Sequence, residues 1–302
     1  MGNWFMSVEC DLGWVDTHCH LDAAEFGQHA ARERQRAAQA GVRCCVLPAV
    51  SVQTFDAVRR LAHAHGDGYC LGVHPLYVAD AADDALACLE RALQQHIDDP
   101  HLLAVGEIGL DFFVPELCQE PLRAKQIAFF KAQLALARRF DLPVVLHSRR
   151  AEDAVHAHLR AALPGAGRWR GIAHAFSGSQ QQAASIVALG MKLGFGGAAT
   201  FERATRLRSL LRAVDVHSIV VETDAPDIAP QWLYVQAHAR ESGQAQGVNS
   251  PSELPRIGAV LASLRDTPVD EFARATCINA CEALPRLAAL LGAAGAVAQH
   301  AH

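Results

Sequence analysis

Eight times along the chain a short apolar or β-branched run is followed by a longer stretch rich in Ala, Leu and Arg, and this alternation restricts the fold more than any other feature. The runs are Gly13–Thr17, Arg43–Ala49, Tyr69–Val73, Leu103–Glu107, Pro143–Leu146, Gly171–His174, Met191–Phe195 and Ser218–Glu222. Helices are predicted over Gly27–Ala40, Ser51–His65, Ala82–Gln95, Glu120–Phe140, Ala151–Ala162, Ser179–Gly190 and Thr205–Ala213, with Ser51, Asp80 and Ser179 as caps. Repeated strand–helix units build a parallel sheet covered on its outer face, and eight of them can close into an α/β fold, the TIM (β/α)8 barrel. The rival is an open, doubly wound sheet, but no Gly-x-Gly-x-x-Gly follows an early strand. The glycines at Gly194, Gly196 and Gly197 read as a tight turn at the barrel mouth.

A chain of 302 residues with 51% hydrophobic content can bury a core of that size. We expect one domain over residues 1–290 and a flexible, small-residue tail over 291–302, where His300 and His302 have no element to hold them. A net charge of -5 excludes a broad basic surface, so a nucleic acid would be gripped at a few phosphates. Nine cysteines lack paired CxxC knuckles and often lie in apolar runs, as expected of reduced thiols in a cytoplasmic protein. The N-terminus has neither a signal-peptide pattern nor a myristoylation signal, and no run reaches membrane-spanning length. Neither a membrane nor an obligate protein partner is expected.

In a parallel barrel, reactive groups sit at the C-terminal ends of the strands. The residues there are His18, His20, His74, Glu107, His147, His174, Glu222 and Asp224, nearly all of them metal-ligand types. His18 and His20 are two apart, so in an extended chain both imidazoles reach one ion, while Cys19 between them points into the core. Even four imidazoles and two carboxylates from this set exceed the needs of one ion with an open position, which predicts two ions bridged by a carboxylate. Glu107 is the best bridge, because flanking glycines let the backbone pass close to the ions; the competing reading pairs it with Arg149. Asp111, further along the loop, is expected to orient a ligand histidine. Asp224 can bind an ion and accept a proton from the attacking water; Glu222 shares its strand face and is an alternative ligand.

Six segments carry a resemblance: Asp16-Thr17-His18-Cys19-His20-Leu21-Asp22, Gly72-Val73-His74-Pro75, Gly106-Glu107-Ile108-Gly109-Leu110-Asp111, His147-Ser148-Arg149, His174-Ala175-Phe176-Ser177-Gly178 and Glu222-Thr223-Asp224-Ala225-Pro226. Together they resemble the TatD family of metal-dependent deoxyribonucleases in the amidohydrolase superfamily, from residue 14 to about residue 285. The resemblance implies a TIM barrel with two divalent ions that hydrolyses DNA phosphodiester bonds, acting on single strands or 3' ends as a 3' exonuclease. It also implies that His18, His20 and Asp224 hold one ion and His147 and His174 the other, with Glu107 between them. His74 and Arg149 then face substrate phosphate, although Arg149 in a rim salt bridge is equally open.

The catalytic pair expected on this basis is Asp224 and Glu107, with a water activated by the two ions and with His74, Arg149 and Ser177 positioning the phosphate. Zinc, manganese and magnesium remain open as the metal. The chain has Val248-Asn249-Ser250-Pro251 where family members often carry Arg-Asn-Glu-Pro, which leaves substrate preference open. The loop from Asp227 to Gly247 offers Trp232 and Tyr234, either to stack on a base or to anchor packing. The same ions could instead serve a small ester, lactone or amide substrate, and a non-catalytic binding barrel is the third reading.

Overall fold

The structure is a computed structural model that describes residues 13–236 and 240–292. Eight strands pair in the order β1 to β8, each parallel to the next. They are β1 (Trp14–Asp16), β2 (Val42–Pro48), β3 (Gly68–Leu71), β4 (Leu102–Asp111), β5 (Val144–Arg149), β6 (Gly171–Ala173), β7 (Lys192–Phe195) and β8 (Ile219–Val221). The ring closes beyond the last strand: Thr17 N donates to Val221 O at 3.1 Å, Asp224 N to His18 O at 2.8 Å and His20 N to Ala225 O at 2.7 Å. Asp16 adds a side-chain clasp, accepting from the amide and the hydroxyl of Thr223. The architecture is therefore the expected single-domain (β/α)8 barrel.

The helices are α1 (Ala30–Gln39), α2 (Phe55–His65), α3 (Ala85–His96), α4 (Leu122–Arg139), α5 (Glu152–Ala161), α6 (Gln180–Ala188), α7 (Thr205–Ala213), α8 (Leu254–Leu264) and α9 (Val269–Ala283). Ser179 caps α6 by accepting from Gln182 N. Asp80 caps nothing, because the chain turns between residues 79 and 84 and α3 starts only at Ala85, preceded by Asp84. The last two helices fall outside the repeating pattern. Pro255 in the first turn of α8 fits a helix start, since its missing N–H would lack an intrahelical partner there anyway.

Strand alternation sorts the core into two shells. Outward residues such as Leu47, Leu71, Leu146 and Val221 pack against the helices. Inward residues Val15, Cys44, Cys70, Val145, Ile172 and Val220 pack together and against Cys277, Ala280 and Leu284, so α9 and the chain after it seal the lower end. Cys19 is buried in the outer shell as expected, and none of the eight described cysteines forms a disulfide. Cys10 and the tail from residue 293 lie outside the described residues, while residues 287–292 are helical. No described helix is long and apolar enough to cross a membrane.

Candidate metal centre

Two residues above the inert inward layer, the same strand faces carry the donors: Val145 leads to His147, Ile172 to His174, and Val220 to Glu222. Glu107 arrives differently. It lies inside β4, not beyond it, and the strand slips register between Val105 and Ile108. An extra residue there breaks the alternation, so Val105 and Ile108 both join the outer shell while Glu107 faces the axis. Gly109, at φ +154°, serves β5 rather than an ion: a Cβ there would stand 1.9 Å from His147 O. Gly194 likewise belongs to β7 and not to a turn, and its missing side chain leaves room for Glu222, whose Oε2 would lie 2.2 Å from a Cβ.

Glu107 is 2% exposed and forms the hub of the site. Its Oε2 lies 3.1 Å from His18 Nε2 and 3.6 Å from His20 Nε2. Its Oε1 lies 3.2 Å from His74 Nε2, 3.0 Å from His147 Nδ1 and 3.1 Å from His174 Nε2. Asp224, at φ +56° just past β8, brings Oδ1 to 3.5 Å from His18 Nε2 and 3.7 Å from His20 Nε2. The rings of His18 and His174 stack with centroids 3.7 Å apart. Three groups of donors thus fall within 4.8 Å of one another: His18 with Glu107 and His174, His18 with His20 and Asp224, and His74 with Glu107 and His147.

The surrounding contacts separate these donors by role. Asp111 sits at the end of β4, not in the loop beyond, and its Oδ2 takes His147 Nε2 at 3.1 Å. That bond places a proton on Nε2, while Nδ1 faces Glu107 Oε1 at 3.0 Å, and the two carboxylates together raise the proton affinity of the ring against its burial. His74 has the reverse arrangement: Leu76 N donates to its Nδ1 at 3.1 Å, so the neutral ring carries its proton on Nε2, toward the centre. Glu222 is buried beside this cluster. It accepts from Ala175 N, and its Oε1 lies 3.4 Å from His174 Nδ1, too poorly aligned for a hydrogen bond.

Electrostatics follow from burial and crowding. Burial alone would raise the Glu107 carboxyl, yet His74, His174 and His18 hold it well below the usual range. Burial lowers His18 strongly and brings His20 down to about 4, so both rings are neutral at pH 7 and have lone pairs to offer. Burial also pushes Asp224 well up, with Glu107 and Glu222 adding to the effect and His174 opposing it. His147 and His174 shift the opposite way from His18 and His20, held up against burial by Asp111, Glu107 and Asp224. The donor set still fits divalent cations: imidazole nitrogens and carboxylate oxygens converge on one centre, where a cation satisfies the charge that protons otherwise have to supply. Asp16, Cys19 and Cys45 also converge, but burial pushes the thiols up and Thr223 occupies both Asp16 oxygens.

A cleft of about 850 Å³ opens over the cluster, lined among others by Thr54, Tyr77, Arg149, Ser177 and Asp227. Arg149 makes no ion pair among the described residues. Instead its guanidinium lies 3.6 Å from the centre of the Phe113 ring, which removes both its pairing with Glu107 and a rim salt bridge. Ser177 is exposed on the wall of the cleft. Trp232 is a packing anchor, with Nε1 donating to Glu253 at 2.7 Å and Arg256 over its ring, whereas Tyr234 is exposed and meets Phe201 edge-on. Sequence reasoning assigned nothing to Phe113, Ser148 or Asp22. The Ser148 hydroxyl and one Asp22 oxygen are buried at the cleft without a protein partner. The one available signal was the position of all three within or just after the quoted strand-end segments.

Comparison with known proteins agrees with this geometry. The family model described as TatD related DNase matches residues 15–285. An uncharacterized metal-dependent hydrolase, YjjV of Escherichia coli K12, is 39% identical over 268 residues, covering 88% of this chain and 95% of that protein. The crystal structure of YjjV, described as a TatD homolog, superposes with a TM-score of 0.79 at 38% identity, covering 90% of this chain and 98% of the other. A protein of Erwinia amylovora named 3'-5' ssDNA/RNA exonuclease TatD is 30% identical over 269 residues, covering 88% of this chain and 97% of that one. The chain belongs to the TatD-related DNase family and is a metal-dependent hydrolase.

Proposed function

We propose that this hydrolase cleaves phosphodiester bonds of single-stranded DNA from a 3' end, with two divalent ions. His18, His20 and Asp224 would hold one ion, His147 and His174 the other, and Glu107 would bridge them. The observation that carries the reading is the Glu107 carboxylate, with five imidazole nitrogens from four strand ends within 3.6 Å of its two oxygens. When bound, such ions acidify water and neutralise charge that builds on phosphorus. Imidazole-rich donors suit zinc or manganese, and magnesium serves where it is abundant.

The protein's own residues supply the rest. Asp224, whose carboxylate reaches the same centre as His18 and His20, takes the proton released by the attacking water. His74 Nε2, protonated because Nδ1 is engaged by Leu76 N, donates to a non-bridging phosphate oxygen. Arg149 and Ser177, on the cleft wall, position the same phosphate. The name borne by the Erwinia relative supports a single-stranded substrate and 3' polarity.

The test is direct. Protein stripped with a chelator and reloaded is analysed for metal per chain, then given single-stranded DNA labelled at the 5' end, alongside small esters, lactones and amides. Two ions per chain and successive shortening from the 3' end are expected. Hydrolysis of small esters alone would move the site to carbon chemistry, and bound ions without any hydrolysis would favour a binding role.

A further inference from the structure

Exposed apolar surface on this molecule is not scattered. Of the large hydrophobic side chains exposed among the described residues, Leu76, Tyr77, Phe113, Ile228, Tyr234 and Val248 all lie in loops that follow strands at the mouth of the barrel. Only Val269 and Ile278, on α9, lie elsewhere. An apolar concentration around an active cleft marks a surface that is covered during function.

Phe113 has a further property. The residue is 42% exposed, yet two guanidiniums lean on its ring, Arg149 at 3.6 Å and Arg150 at 4.7 Å from the centroid. Neither arginine has a carboxylate partner among the described residues, so both charges at this rim are unneutralised. The arrangement is fixed from below. Asp111 Oδ1 accepts from Phe113 N at 2.8 Å and Val114 N at 3.0 Å, while Phe112 N donates to Arg149 O at 2.8 Å. The end of β4 thus sets the ring against the end of β5, and the carboxylate that does so also holds His147. Arg149 lines the cleft, whereas Phe113 stands just outside it.

We propose that Phe113, with Arg149 and Arg150 stacked on it, is the subsite for the base of the nucleotide next to the 3'-terminal one. The proposal rests on the nuclease reading above and adds a substrate requirement to it. The cleft takes the terminal nucleotide, whose phosphate Arg149 faces, and the next one lies over the rim, where its base stacks on the aromatic–guanidinium platform and its own phosphate meets Arg150. Stacking of this kind accepts any base, because every base has a flat π-face, and it needs an unpaired strand, because a base within a duplex is already stacked. The subsite therefore selects single strands of at least two nucleotides without reading their sequence.

The test uses the metal-loaded protein and a hydrolysis-resistant phosphorothioate hexamer of deoxythymidylate labelled with fluorescein at its 5' end. Binding is read by fluorescence anisotropy. Phe113→Ala should weaken binding roughly tenfold, and Phe113→Trp should hold it within about threefold of the unmodified protein. A hexamer with an abasic site at the nucleotide next to the 3' end should lose the same roughly tenfold on the unmodified protein and little more on the Phe113→Ala variant. On cleavable oligonucleotides, Phe113→Ala should raise KM far more than it lowers kcat. An unchanged affinity in Phe113→Ala, or a full abasic loss persisting in that variant, overturns the proposal. So does a protein that binds no hexamer; if that protein still shortens DNA, the nuclease reading survives and only the platform falls. If the variant fails to fold, an abasic hexamer that binds the unmodified protein as tightly as the intact one overturns the proposal, and Phe113→Trp supplies the folded comparison.

Discussion

The two ends of the barrel are made by the same strands with the same alternation, yet one is inert and the other is crowded with ionisable groups. At the lower end Val145, Ile172 and Val220 meet Cys277, Ala280 and Leu284 in a sealed apolar layer. One pleat higher, His147, His174 and Glu222 face the same axis beside Glu107. The contrast teaches that burial is common to both layers and that chemistry depends on what is buried. The lower layer removes apolar surface from water and holds the ring together. The upper layer gathers groups that are costly to bury, which only a ligand or a closed hydrogen-bond network compensates.

The sharpest way to break this comparison is Asp224→Asn. Turnover on single-stranded DNA should fall at least about a hundredfold with the thermal midpoint little changed. A variant that keeps full turnover would show that the upper layer is not the reactive end.

Next comes the converse change below. Ile172→Ala should cost about 2–5 kcal/mol of stability by leaving a cavity, read by denaturant unfolding, while kcat and KM of the folded protein stay within about twofold. A large kinetic effect would mean that the layers are coupled.

Asp111→Asn is more modest. It keeps the shape but loses the charged partner that sets the His147 tautomer, so metal affinity or activity should drop about 10–100-fold, measured by competitive chelation.

The smallest effect concerns the seam between the layers. Burial pushes the Asp16 carboxyl up to about 7 in spite of its hydrogen bonds from Thr223. Between its unfolded value of 3.8 and about 7 the folded protein then holds a proton that the unfolded chain has released. Stability from this group is complete at low pH and is lost as pH rises through 7. Chelated protein should melt lower at pH 8 than at pH 5, and Asp16→Asn should flatten that slope.

Much of the fold was legible because the barrel repeats a local signal, a run with period two followed by a helical stretch, and such signals need no knowledge of distant residues. The strand-end histidines were legible for the same reason. The β4 slip was not: Leu103–Glu107 reads as an ordinary strand with Glu107 at its tip, whereas β4 continues to Asp111 and absorbs an extra residue. Nor was the use of Gly194, which looks like a turn glycine and instead leaves room for Glu222 from the neighbouring strand. The fate of Arg149 turned on Phe113, a neighbour 36 positions away in the chain and adjacent only through the pairing of β4 with β5. Helices α8 and α9 break the repeat, so no periodic argument led to them, or to the plug below the barrel.

By itself, then, the sequence determined the eightfold alternation, the closed barrel and the set of donor types at one rim, because each follows from the chemistry of residues near one another in the chain. Tertiary structure alone decided that Glu107 is the hub, that Leu76 turns the His74 proton toward the centre while Asp111 grips the far side of His147, and that Arg149 stacks instead of pairing. The physical reason is that a side chain's proton, charge and direction are set by the atoms it touches, and here those atoms come from other strands.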